Sequence, residues 1–191
     1  VRYFMEIKKY CKTNGIEVAE GKLRIEGGAS VMCKYHQGLV VRRQQSLHCD
    51  FRVAMQFDPQ HLNHIAGLLV YYNYDNHYYL KMSRDENGLF LAVSANVNKT
   101  LTDSSPVYLP PHTQLVYLVA VIRGENLQFK YSLDDTSYSP IGELLDMKNI
   151  SDERIERNGF TGAMLGVNCC DMQGDGVHAD FLSFDYRDQD I

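Results

Sequence analysis

Residues 65–94 read IAGLLVYYNYDNHYYLKMSRDENGLFLAVS, and this stretch decides the fold. Two runs rich in aromatic and β-branched residues, 65–72 and 77–82, flank Asn73-Tyr74-Asp75-Asn76. A second turn-prone segment, Arg84-Asp85-Glu86-Asn87-Gly88, leads into Leu89-Phe90-Leu91-Ala92-Val93. Side chains that suit a pleated surface are thus interrupted by Asn, Asp and Gly where a chain reverses, which predicts three consecutive antiparallel strands. The first two carry apolar residues at nearly every position, so both of their faces must be covered and a second layer is required.

Working outward, the same period continues. Leu23 and Ile25 alternate with Lys22, Arg24 and Glu26. Phe51, Val53, Met55 and Phe57 alternate with Arg52, Ala54 and Gln56 before Asp58-Pro59 ends the run. Residues 39–43 form a short strand, and 114–122 (QLVYLVAVI) a buried one closed by Arg123-Gly124-Glu125-Asn126. Leu127, Phe129 and Tyr131 alternate in the next, and 160–168 and 179–186 are the last two. Residues 96–111 read as a polar loop with one edge strand, and 142–157 as the one place for a helical turn, with Ser151 as its cap. Roughly ten short strands spaced ~8–12 residues apart, with almost no helical period, predict an all-β, two-sheet antiparallel sandwich or jelly roll. The 191 residues are expected to form a single domain, 1–191, with no linker or repeat.

Composition narrows the function. A net charge of −5 without a Lys/Arg-rich run argues against nucleic acid as a partner. No apolar run approaches the ~18–20 residues that span a bilayer. Nothing in Val1-Arg2-Tyr3-Phe4-Met5-Glu6 resembles a signal peptide, so no membrane association and a cytoplasmic location are expected. Five cysteines, Cys11, Cys33, Cys49, Cys169 and Cys170, are odd in number and contain no C-x-x-C pair. Buried free thiols in a reducing compartment fit this better than a disulfide framework or a zinc site.

Catalytic chemistry is not indicated. Glycoside cleavage needs two carboxylates on one face, and on a strand this means residues an even number apart. There is no Glu-x-Asp-x-Glu run; Asp180 and Asp185 differ by an odd number and should face opposite sides, while Asp188 and Asp190 lie at the terminus. The Gly-x-Ser-x-Gly elbow is absent. His61 and His64 flank Leu62-Asn63, but zinc needs a third ligand and none is indicated nearby, so they read as a solvated loop. Asp171, Gln173 and Asp175 resemble half of a calcium loop without the closing Glu; a structural calcium ion is the one cofactor considered, against the simpler reading of a polar hairpin. Tyr71, Tyr72, Tyr74, Tyr78 and Tyr79 cluster; cross-strand packing suits them, and Tyr72, Tyr74 and Tyr78 are the candidates for contact with a sugar.

A set of motifs carries a resemblance. Gly159-Phe160-Thr161-Gly162-Ala163, Leu165-Gly166-Val167, Cys170-Asp171-Met172-x-Gly174 and Ala179-Asp180-Phe181-x-x-Phe184-x-Tyr186 resemble the C-terminal signature of glycoside hydrolase family 43 β-xylosidases. Val41-Arg42-Arg43-Gln44-Gln45, the Ala66-Gly67-Leu68 and Tyr78-Tyr79-Leu80 strands, and Tyr131-Ser132-x-Asp134 extend it over nearly the whole chain. The resemblance implies a concanavalin A-like sandwich that packs on a five-bladed catalytic propeller and closes part of its substrate pocket. It places Phe160 at the pocket rim and assigns Arg42 or Arg43 to the interface. The family's catalytic carboxylates belong to the propeller and have no positions here. The expected role is a non-catalytic accessory domain of a β-xylosidase or arabinofuranosidase, with homo-oligomerisation compatible. The alternatives are a stand-alone module binding xylo-oligosaccharides, and a self-contained enzyme, which would need the missing carboxylate pair.

Overall fold

The computed structural model describes residues 2–4, 11–13, 15–152, 154 and 162–189. Among these, the strands are β1 (Arg2–Phe4), β2 (Cys11–Thr13), β3 (Ile16–Ala19), β4 (Lys22–Glu26), β5 (Gly38–Arg43), β6 (His48–Phe57), β7 (His64–Asn73) and β8 (Asn76–Asp85). They continue as β9 (Gly88–Val97), β10 (Thr100–Asp103), β11 (Val107–Tyr108), β12 (Leu115–Arg123), β13 (Asn126–Ser132), β14 (Ser139–Asp146), β15 (Met164–Asp171) and β16 (His178–Asp188). One sheet runs β14-β13-β12-β6-β16-β4-β3-β2, with β1 also on β16. The other runs β10-β9-β8-β7-β15-β5, with β11 also on β9. Each pairing between these strands among the described residues is antiparallel.

The expected meander is the centre of the second sheet. Val70 pairs with Tyr78 and Leu80 with Val93, and the alternation then sorts the side chains. Ala66, Leu68, Val70 and Tyr72 of β7, Tyr78, Leu80 and Met82 of β8, and Leu89, Leu91 and Val93 of β9 meet Phe51, Val53, Met55 and Phe57 of β6 and Leu118, Ala120 and Ile122 of β12 in one core. This is the second layer that the two-sided apolar runs required. The opposite face of the meander is also covered. Val31, from the loop between β4 and β5, packs on Leu69, Tyr71 and Tyr79 there. Gly166 of β15 lies between β5 and β7, and a Cβ at that position would come within 2.1 Å of the Val40 carbonyl oxygen.

Several expectations need correction. Ser139–Asp146 form strand β14, whose second half, from Gly142, falls where a helical turn was expected. The one helical element among the described residues is a 3₁₀ turn, Met147–Ile150. Its N-cap is Asp146, whose carboxylate accepts the Lys148 N–H; Ser151 closes the turn and does not start it. The polar stretch 96–111 contributes two short strands rather than one. Cys49, Cys169 and Cys170 are buried free thiols, but Cys33 is exposed. Burial pushes the Cys170 thiol up to about 12.

Candidate functional site

The core strands run between two clefts. The last residues of β6 and the first of β7, β12 and β16 meet at one end; the first residues of β6 and the last of β7, β12 and β16 meet at the other. Ten residues of β6 separate the ends by on the order of 30 Å.

The cleft at the β6 N-terminal end, about 480 Å³, is lined by Arg43 to Leu47, Gly124, Glu125, Met147, Lys148, Ile150, Ser151, Asp152, Gly162 and Ala163. Its apolar part comes from Leu47, Met147, Ile150 and Ala163, and Leu47 is 67% exposed. Leu47 thus extends the buried Met147 and Ile150 into an apolar floor that reaches the surface at this end. Ordered turns shape this end. Gly124 N–H donates to the Leu47 carbonyl at 2.8 Å, and Met147 N–H to the Glu125 carbonyl at 2.8 Å. The Tyr186 hydroxyl accepts the N–H groups of Gln45 and Ser46, both at 3.1 Å.

Of the residues singled out in the sequence, Arg43 lines this cleft. Arg42 beside it lies over the Tyr186 ring at 4.3 Å and donates to Gln45 Oε1 at 2.6 Å. Phe160 lies outside the described residues; the next described position, Gly162, is in the cleft lining. Tyr72 and Tyr78 are 4% and 1% exposed. The Tyr72 hydroxyl donates to Asp152 Oδ1 at 2.6 Å and that of Tyr78 to the Asp146 carbonyl at 2.7 Å, so both serve the core and not an open sugar platform. Tyr74 sits half-buried in the β7–β8 turn.

The carboxylate parity argument fails for a structural reason. β16 carries a register shift between Phe181 and Ser183, so Asp180 pairs with Gln56 and Asp185 with Arg52. Both therefore share a side, contrary to the expectation. They remain an unsuitable pair, because the four residues from Arg52 to Gln56 span about 13 Å, beyond the ~6.5–9.5 Å of an acid–base pair. Each is also held by cations. Arg24 grips Asp180 with Nε on Oδ1 at 2.6 Å and Nη2 on Oδ2 at 2.7 Å, and Lys22 adds a bond of 2.9 Å. Burial alone would raise the Asp180 carboxyl, but the Arg24 and Lys22 bonds outweigh it and hold it at about 2. Arg187 Nε donates to Asp185 at 2.8 Å.

The opposite cleft, about 570 Å³, is polar and includes His64, Arg84, His112, Asp175, His178 and Asp180. The loop from 171 to 177 borders it. Asp171, weighed as a calcium-type ligand against a plain polar hairpin, has its oxygens accepting the backbone N–H groups of Gln173, Gly174, Gly176 and Val177 at 2.7–3.2 Å. Burial works against the charge, and those N–H bonds still bring its carboxyl down to about 2. An ion would have to displace them. The loop they shape delivers Asp175 to the two histidines that lacked a third ligand. Asp175 Oδ2 lies 2.9 Å from His61 Nε2 and 3.1 Å from His64 Nε2. The sequence holds the His-x-x-His half of this group, but its carboxylate is 111 residues from His64, and only the pairing of β15 with β7 joins them.

Comparison with known proteins gives the family and the fold. A family model described as the β-xylosidase C-terminal concanavalin A-like domain matches residues 10–187. A β-xylosidase of Bacillus subtilis is 32% identical over 175 residues, covering 90% of this chain and 33% of that protein. A xylosidase/arabinosidase 43B of Humicola insolens is 33% identical over 180 residues, covering 88% and 33%. Among solved structures, a xylan β-1,4-xylosidase from Bacillus halodurans superposes with a TM-score of 0.88 at 26% identity, over 97% of this chain and 39% of that one. The chain thus spans about a third of the length of the relatives it matches.

Proposed function

The chain belongs to the family of C-terminal concanavalin A-like domains of β-xylosidases, and from this we propose that it is a non-catalytic accessory domain that docks on a five-bladed catalytic propeller and closes its substrate pocket. The observation that supports this most directly is the cleft at the β6 N-terminal end, with Leu47 held exposed beside Met147, Ile150 and Ala163. An apolar floor with a charged rim of Arg43, Glu125 and Lys148 has the composition of a domain interface. The Phe-Thr-Gly motif leads into Gly162 at this cleft, so docking here would carry Phe160 toward a pocket rim. A ring there would exclude water and support one face of a pyranose. The substrate would be a xylo- or arabino-configured glycoside, and cleavage would fall to carboxylates of the propeller.

The test pairs this chain with a family 43 propeller prepared without its own sandwich. Calorimetry should give saturable binding, and turnover of p-nitrophenyl xyloside should rise on addition of the chain. Leu47→Arg should weaken binding at least about tenfold, the loss of roughly 1.4 kcal/mol. Full affinity in Leu47→Arg and Arg43→Glu alike would move the interface elsewhere. Turnover by the isolated chain would overturn the non-catalytic reading.

A further inference from the structure

We propose that His61, His64 and Asp175 form a binding site for a divalent transition-metal ion of the zinc class, at the end of the sandwich opposite the docking cleft. The donor atoms of the three side chains all lie within 4.8 Å of one another. Ligand atoms at ~2.0–2.1 Å from a tetrahedral zinc ion are separated by about 3.3 Å. The two imidazole Nε2 atoms lie 2.9 and 3.1 Å from Asp175 Oδ2, so each of these two pairs needs to open by only a few tenths of an ångström to take an ion between them. The rings are already arranged for it: His61 and His64 lie tilted against each other with centroids 3.8 Å apart, and both Nε2 atoms face the same carboxylate oxygen.

The donor set decides the ion. Two imidazoles and one carboxylate suit zinc, cobalt, nickel or copper, whereas calcium and magnesium take oxygen ligands. Asp171, with its oxygens committed to backbone N–H groups, is not a ligand; its Oδ1 lies 3.7 Å from His64 Nε2 and steadies the charge behind the site. His64 is 2% exposed and fixed in place. Its Nδ1 accepts the Gln60 N–H at 3.3 Å, so in the metal-free chain Nε2 carries the proton and donates it to Asp175. Metal binding moves that proton to Nδ1 and gives up the Gln60 contact, which at 3.3 Å is a long one. His61 Nδ1 is buried without a hydrogen-bond partner, so loading an ion on Nε2 costs that ring no contact at Nδ1. His64 and Asp175 line the polar cleft, so a fourth, exchangeable ligand reaches the ion from that side. The ion would fasten the 171–177 loop to the start of β7.

Untagged full chain titrated with zinc chloride against a chromophoric chelator should take up one equivalent with a micromolar or tighter dissociation constant. Cobalt(II) in its place should show the intense visible bands of a four- or five-coordinate nitrogen and oxygen site. His61→Ala changes a partly exposed loop residue, so the metal-free fold should keep its melting temperature while zinc affinity falls at least about tenfold. Asp175→Asn should do the same to affinity, and Gln173→Ala should bind as the unaltered chain does. Absence of saturable uptake, a weak octahedral cobalt spectrum, or uptake that survives both ligand substitutions would overturn the proposal.

Discussion

The Tyr72 hydroxyl donates to Asp152 Oδ1 at 2.6 Å, and that same oxygen accepts the Gly162 N–H at 3.3 Å. One carboxylate thus ties the bulged end of the central meander to the chain on both sides of residues 153–161. Tyr72→Phe removes the bond and leaves the ring in the core. A hydrogen bond to a charged group is worth about 1.5–3 kcal/mol, and partial exposure brings the expected loss to about 1–2 kcal/mol. Urea unfolding reads the loss, and hydrogen exchange at the Gly162 amide should accelerate in the variant. Unchanged Gly162 exchange would mean that Tyr72 does not hold this segment.

Gly166 tests the packing of the second sheet. An added Cβ would lie 2.1 Å from the Val40 carbonyl oxygen and 2.6 Å from Val41 Cγ1. Backbone on that side cannot yield as a flexible side chain would, so Gly166→Ala should cost about 2–3 kcal/mol, within the range for overpacking. Chemical denaturation measures it; a loss under about 0.5 kcal/mol, the level of a neutral surface change, would show that β5 can move aside.

Much of this fold is legible from local pattern. The meander, β6, β12 and β13 announce themselves because each strand buries one face or both and the side-chain period is two. β14 was not legible, because its residues Ser139–Asp146 are mostly exposed on a sheet edge and include Pro140 and Gly142, which are depleted in strands. The common side of Asp180 and Asp185 was hidden by the register shift after Phe181, where one extra residue reverses the parity of everything beyond it. The His61–His64–Asp175 group was half visible. His-x-x-His is a local signal, but a ligand contributed from the far side of a sheet pairing leaves no spacing to read.

Acid should unfold this domain through Asp180 in a way that Arg24 controls. An unfolded Asp titrates near ~3.9, and in the folded chain Arg24 and Lys22 hold Asp180 at about 2 against the opposing effect of burial. A carboxylate depressed on folding adds stability above its unfolded value, and that stability is lost as pH falls from about 4 to about 2. After solvent screening the contribution is on the order of 1–2 kcal/mol. Arg24→Gln should lower stability at neutral pH and flatten the dependence between those limits. Urea midpoints across the pH series give both quantities; parallel curves for the two proteins would show that Asp180 keeps its low value without Arg24.

Isolated, this chain should not bind xylobiose or xylotriose. Sugar modules offer a pyranose an exposed aromatic face with convergent polar groups. Tyr72 and Tyr78 are buried, with their hydroxyls spent on Asp152 and Asp146. Among the described residues, Tyr35 and Tyr108 are the exposed tyrosines, at 65% and 44%, and neither lines either large cleft. The Tyr108 hydroxyl is itself engaged by Asp85 at 2.8 Å. Titration calorimetry should therefore give only heats of dilution. Saturable heat that disappears in Tyr35→Ala, Tyr74→Ala or Tyr108→Ala would replace the docking reading with that of a binding module, since a pocket completed by a propeller has no reason to depend on tyrosines away from the docking cleft.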